Sequence, residues 1–473
     1  MSNALKLTLL AVGGLLGIAI LGAVIMLLWW RGHAKLQLET AASDSLGMEV
    51  KIGGRLLMQY LPSVGMTLED VRIRSHDAEL VAAKEVRLGI ELVSLLRRQV
   101  RIPTIEWKHV TISVERGRDG KLNFGGPALG TGALPNIDST DVSLTDLTFI
   151  YTNRQAGTSV HAGSCNVEAT DLRVAATTAG DLVKSMSMSA KVSCEQIKTK
   201  DLPMTDVRFA VDASKGVFEA RNVTMHAFGG QGTAAVRADF SGSVPAYRVH
   251  GALSKFRLAE FSKNFSQKKI GEGLMDFSTD LAMTGKSADE MTRTSVGAAS
   301  LHGTGLTLEG GDLDDELSHY KSTQRFSLVD LGAFLLAGPI GLAVTKGYDY
   351  SKVFSSSGGS SQIQTFISEW HVERGVAQAK DVAMTTKANR IALKGILDFV
   401  NQSFQDVTVA ALNKQGCATV EQKVHGPFSH PVVEKPNVVT SLAGPALHLL
   451  NKAEHLMGVH CEVFYAGSLA PPQ

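Results

Sequence analysis

Behind residue 47, apolar and polar residues alternate with period two along much of the chain. Val110, Ile112 and Val114 point one way, and Thr111, Ser113 and Glu115 the other. That is a strand with one dry face and one wet face. Gly117 and Asp119-Gly120 supply the turn that ends it. One phrase keeps returning: a polar residue, then Asp, Asn, Glu or His, then Val or Leu, a polar or small residue, and a second apolar one. Copies stand at 69–73, 84–88, 108–112, 145–149, 170–174, 205–209, 221–225 and 380–384. The Asp or Asn is expected to turn the backbone at a strand start, and the alternation behind it to bury one face only. The spacing is irregular, which excludes a solenoid of fixed period. The prediction is a mainly β chain, an elongated, curled antiparallel sheet built as a meander with a few helices. Its dry face would carry Val71, Ile73, Leu147, Phe149, Leu172, Val174, Val207, Phe209, Val223 and Met225. Two arrangements satisfy this alternation equally: a closed sandwich core, or an open trough whose floor accepts acyl chains.

Other stretches break the alternation. Leu7 to Trp30 holds no charged residue across 24 positions. As a helix it would be about 36 Å long, enough to cross a bilayer core of about 30 Å. Lys6 precedes it, and Trp29, Trp30 and Arg31 follow, as at a membrane interface. The run is too long for a signal peptide, and no small-x-small site follows it. An uncleaved transmembrane anchor is expected. Phe326 to Val344 is also apolar, but Asp330 and Gly338-Pro339 argue for a hydrophobic helix rather than a second span. Ala443 to Met457 reads as a helix with Pro445 in its first turn and Gly458 as its stop. Residues 128–136 and 355–361 read as loops.

At 473 residues the chain exceeds one small core, and the expected division is 1–35 (anchor), 36–290 and 291–473. Lys and Arg total 47 against 46 for Asp and Glu, so no basic field marks a nucleic-acid partner. HExxH, GxSxG and P-loop phrases are all missing. Neither an enzyme nor a cofactor is expected. Asp312, Asp314, Asp315 and Glu316 resemble a metal cluster, but a helix N-terminus favours acidic residues without one. His448, His455 and His460 have no acidic or cysteine partner at tight spacing, so surface histidines are expected there. Cys165, Cys194, Cys417 and Cys461 form no CxxC. They permit a Cys165–Cys194 and a Cys417–Cys461 bridge, or four buried thiols. An oxidising compartment behind a membrane anchor favours the bridges.

The order of phrases resembles the AsmA family, bacterial inner-membrane-anchored periplasmic proteins. The resemblance rests on Leu95, Leu96, Val100 and Ile102, then Ile112, Val114, Arg116, Gly120, Asn123 and Phe124. More loosely, Gly271 to Lys286 and Ser295 to Leu317 resemble later phrases of the family, the second as a Gly-rich strand pair leading to an acidic helix start. His425 to Pro431 resembles its closing phrase. The resemblance implies a single-pass inner-membrane protein with its bulk in the periplasm. It also implies a role in outer-membrane biogenesis or lipid homeostasis, with phospholipid bound or moved along a hydrophobic β-groove, as thought for TamB-like relatives. The alternative is a non-enzymatic assembly or scaffold factor for outer-membrane proteins, with polypeptide partners and no lipid path.

Overall fold

The structure, a computed structural model, describes residues 34–59, 64–75, 78–91, 101–123, 137–175, 182–199, 202–263, 271–309, 311–315, 317–318, 359–438 and 461–472. The apolar run 7–30, the Leu95-Leu96 step, Phe124, the loop 128–136, the run 326–344 and the stretch 443–460 with its three histidines lie outside them. Among the described residues no helix is long and apolar enough to cross a membrane. The chain is mainly β and divides into two units.

Unit 1 comprises residues up to 227 and 232–247. It opens with α1 (Ala34–Leu46), β1 (Glu49–Ile52) and β2 (Leu56–Gln59). The long strands follow: β3 (Gly65–Ser75), β4 (Ala78–Gly89), β5 (Thr104–Arg116), β6 (Ile137–Asn153) and β7 (Thr158–Val174). Helix α2 (Leu182–Ser185) leads to β8 (Met186–Thr199), β9 (Pro203–Ser214), β10 (Val217–Ala227) and β11 (Gly230–Asp239), whose first two residues fall outside the unit. β1 and β2 share one side of β3, joined by Gly53-Gly54. From β3 to β10 each strand pairs with the next. The expected antiparallel order fails at one pair among the described strands β3 to β10: β5 and β6 are parallel, Thr104 against Asp141 through Arg116 against Asn153. A parallel pair cannot be closed by a hairpin turn.

The repeated phrase does not start strands. Its Asp, Asn or His sits inside them in left-handed backbone, at Asp70, His109, Asp146, Asp171, Asp206 and Asn222. These are β-bulges, and Asp, Asn and His are the non-glycine residues that tolerate this conformation best. Each bulge re-phases the alternation. Leu68 and Val71 both face inward around Asp70, Trp107 and Val110 around His109, Leu144 and Leu147 around Asp146. Neighbouring strands satisfy the extra N–H: that of Asp146 donates to Asn166 Oδ1 at 3.2 Å, that of Asp171 to Asp141 Oδ1 at 3.0 Å. Of the other two copies, Glu85 and Asp381 are not left-handed. Opposite the first bulge the chain passes close: a Cβ on Gly53 would lie 2.0 Å from Asp70 Oδ2, and the carboxylate would have to turn aside.

The turn after β5 forms where expected. Gly120 has φ +77°, and Arg116 Nε donates to its carbonyl at 3.0 Å. Asn123 acts as a substitute strand: its Oδ1 accepts from Glu115 N–H at 3.0 Å and its Nδ2 donates to the Ser113 carbonyl at 3.3 Å. Three residues that carried the family resemblance therefore close one turn.

Unit 2 comprises 228–231 and the chain from 248. It contains β12 (Ala246–Arg257, from Arg248), α3 (Leu258–Ser262), β13 (Gly271–Thr284), α4 (Ala288–Thr294) and β14 (Val296–Glu309). Then come β15 (Ser360–Glu373), β16 (Val376–Thr385), β17 (Arg390–Asp398), β18 (Ser403–Leu412), β19 (Ala418–Pro427), β20 (Val432–Val433) and β21 (Asn437–Val438). β13 to β19 form an antiparallel meander. The bulge device returns at Asp406, between inward Phe404 and Val407. The expected Gly-rich strand pair is instead the single strand β14, with a positive-φ glycine, Gly305, inside it. The serine-rich stretch ends in β15, where buried Ser361 accepts from Leu313 N–H at 3.0 Å and donates to the Gly311 carbonyl at 2.6 Å. Asp312 caps the acidic turn, accepting from Asp314 N–H at 3.0 Å, and Asp314 accepts from Asn389 Nδ2 at 2.7 Å.

Candidate functional site

The dry face of unit 1 gathers Leu38 and Ala42 of α1 and the inward residues of β1 to β11 into one apolar cluster. At the N-terminal strands it is closed. Val71 and Ile73 lie there at 0–1% exposure, with Val86, Ile105, Trp107 and Val110 equally covered. Helix α1 also shields the sheet's first edge. Ser43 Oγ accepts from Val50 N–H at 2.9 Å, and Glu39 Oε1 from Ile52 N–H at 2.8 Å. These side chains take the place of a neighbouring strand, a standard protection for an exposed edge.

From β6 onward the same face changes character. Rows run across the strands: Leu147, Cys165, Cys194, Val207; then Leu144, Val167, Val192, Phe209; then Val142, Ala169, Ala190, Val211. Small residues such as Ala162, Ala169, Ala190 and Ala213 are buried low in the floor. Large ones beside them stay half-buried: Phe149, Val160, Val167, Met188, Val192, Ile197, Phe209 and Val211. Of the positions the alternation marked, Leu147, Leu172, Val174 and Val207 are buried, whereas Phe149, Phe209, Val223 and Met225 are half-buried. The face holds more than the repeated phrase revealed. Val160, Val167, Met188, Val192 and Ile197 lie on β7 and β8 outside its copies, and only plain alternation marks them.

A disulfide joins Cys165 to Cys194, directly opposed across β7 and β8 on this floor. Cys417 and Cys461 are joined in unit 2, and no free cysteine remains. The wet face carries exposed ion pairs, such as Arg72 with Asp70 at 3.0 Å and Arg173 with Asp171 at 2.8 Å. The Asp171 carboxyl is held below its ordinary value, first by a hydrogen bond from the Ser139 hydroxyl and then by Arg173. Among the described residues no group of three or more His, Cys, Asp or Glu side chains is arranged to hold a metal ion. What the geometry offers is an apolar surface that is closed at one end and half-open farther on.

Residues 1–125 match the AsmA family. The AsmA-like segment thus spans α1 to β5 and the Asn123 turn, including the closed end of the dry face and its protected edge. No curated protein and no solved structure matches the chain.

Proposed function

We propose that this chain is an inner-membrane-anchored periplasmic protein that binds phospholipid on the dry face of unit 1, and passes it on, in outer-membrane biogenesis. The observation that carries the reading is the half-open stretch from β6 to β10. Phe149, Val192, Phe209 and Met225 keep part of their apolar surface in contact with solvent, although each stands on the inward side of its strand. Burying large side chains of this kind stabilises by about 1.5–3 kcal/mol each. A long apolar ligand laid across the rows would recover part of that. The AsmA-like segment supports the anchor and compartment, and two closed cysteine pairs fit an oxidising one. The role is binding and transfer rather than catalysis.

Native mass spectrometry with lipid extraction on the detergent-solubilised full chain tests this. Stoichiometric phospholipid is expected, and Phe149→Glu or Phe209→Glu, with the same anchor, should lose it while remaining folded. A wild-type chain free of lipid that crosslinks to outer-membrane polypeptides would replace this reading with that of an assembly factor.

A further inference from the structure

Unit 2 has a second buried face. β16 to β18 carry the main core on one side. On the other, Ala383, Ala392 and Ala410, all at 0% exposure, form a floor beside Leu412. Residues 461–472 lie on that floor through Tyr465 and Leu469. The alanines leave room for a strap of chain at close range, and a Cβ on Gly467 would lie 2.4 Å from Asp381 Oδ1.

Separate devices hold the strap. Its first residue, Cys461, is disulfide-bonded to Cys417 of the turn before β19. Farther along, Asp381 uses both carboxylate oxygens on it. Oδ1 accepts from the Tyr465 hydroxyl; Oδ2 accepts from Ser468 N–H at 2.9 Å and from the Ser468 hydroxyl at 2.6 Å. The buried Arg390 guanidinium donates to the Leu469 carbonyl at 2.9 Å and to the Asn413 carbonyl at 3.2 Å. Gly416 accepts from the N–H groups of Phe464 and Tyr465. Asp381 lies in the last copy of the repeated phrase; the β15–β16 register shifts beside it too, but its backbone is not left-handed and its carboxylate is directed to the strap.

We infer that residues 461–472 are a latch with two main keys, the Cys417–Cys461 disulfide and the Asp381 carboxylate, either of which suffices, with the bonds to Arg390 and Gly416 behind it, to keep the strap on the alanine floor. The keys act at different points: the disulfide fixes where the strap begins, and the carboxylate fixes Tyr465 and Ser468. Losing one leaves the other engaged. With both lost, the bonds to Arg390 and Gly416 are too few to hold the strap, and the floor is uncovered while β13 to β15 keep their pairing.

Hydrogen exchange on the full chain at neutral pH tests the latch, comparing wild type, Cys461→Ser, Asp381→Ala and the double variant. Each single variant should retain strap protection close to wild type. The double variant should exchange at least about tenfold faster across 462–470 and β17, with β15 still protected. Gly467→Ala combined with Cys461→Ser should reproduce it, because the new methyl would crowd both Asp381 Oδ1 and the Tyr465 hydroxyl, the two atoms that hydrogen-bond in the key. Three results would overturn the inference. In the first, either single variant alone frees the strap. In the second, both double variants stay protected, which means packing alone holds it. In the third, β15 loses protection together with the strap, which makes the strap part of the cooperative core rather than a latch.

Discussion

His109 and Asp146 hold the same register position on the two strands of the parallel pair, and both are left-handed, with φ of 51° and 54°. The ladder runs from Lys108–Thr145 to Val110–Leu147 around them. Two bulges that coincide re-phase both strands together, so the inward residues on either side still meet. A β-branched residue tolerates this backbone poorly and glycine tolerates it freely. Asp146→Val should cost about 1–2 kcal/mol, and Asp146→Gly markedly less, in denaturant unfolding of the same chain. Equal losses would mean that the side chain, not the backbone, matters at this position.

Covered and half-buried positions of the dry face should respond differently to charge. Leu172 is at 0% exposure, whereas Phe209 is half-buried. A carboxylate at 172 has no water to reach, so Leu172→Glu should destabilise by at least about 3 kcal/mol. Phe209→Glu can turn its charge outward and should keep a wild-type thermal transition to within a few degrees. If Phe209→Glu melts the unit as Leu172→Glu does, the face is a closed core throughout.

The edge under α1 gives a local test. Glu39→Ala and Ser43→Ala remove the acceptors for Ile52 and Val50 N–H. Those two amides should exchange faster, while amides of β4 and β5 stay protected. The local loss should be about 1 kcal/mol per bond. Unchanged exchange at 50 and 52 would show that helix packing alone shields the edge.

Stability of unit 2 should fall in acid through Asp398. Burial alone would raise its carboxyl, but hydrogen bonds from the backbone and side chain of Asn401, from Val400 N–H and from Gln405 hold it below its ordinary value. A carboxyl lowered in the folded state contributes stability above the ordinary aspartate value of 3.8 and loses it as pH falls through the lower folded value. Asp381 titrates in the same sense. Urea titrations at falling pH should show this slope, and Asp398→Asn should be less stable at neutral pH and flatter in acid.

Period-two alternation is enough to read the strands and the dry face, and Gly117 with Asp119-Gly120 the turn after β5. The repeated phrase is ambiguous for a physical reason. Asp starts turns and also tolerates left-handed bulges, and the sequence around Asp70 or Asp171 fits either. The deciding signal was spacing: Leu68 to Val71 and Ala169 to Leu172 are three apart where a straight strand needs two. The parallel pairing of β5 and β6 was not legible, because alternation has no direction. Nor does alternation distinguish the covered Val71 from the half-buried Phe209, since coverage depends on what lies above the face.

The parallel seam also has a consequence for how the chain folds. Every hairpin in unit 1 can zip from its turn, as β3 and β4 can from Ser75 and Ala78, each pairing bringing the next within reach. Across β5 and β6 the separation along the chain is the same at every rung, so no end is favoured as a starting point. Loop entropy must be overcome before the first contact there is made. The strands before the seam and those after it can each assemble locally, and their joining is the step expected to limit the rate for the unit.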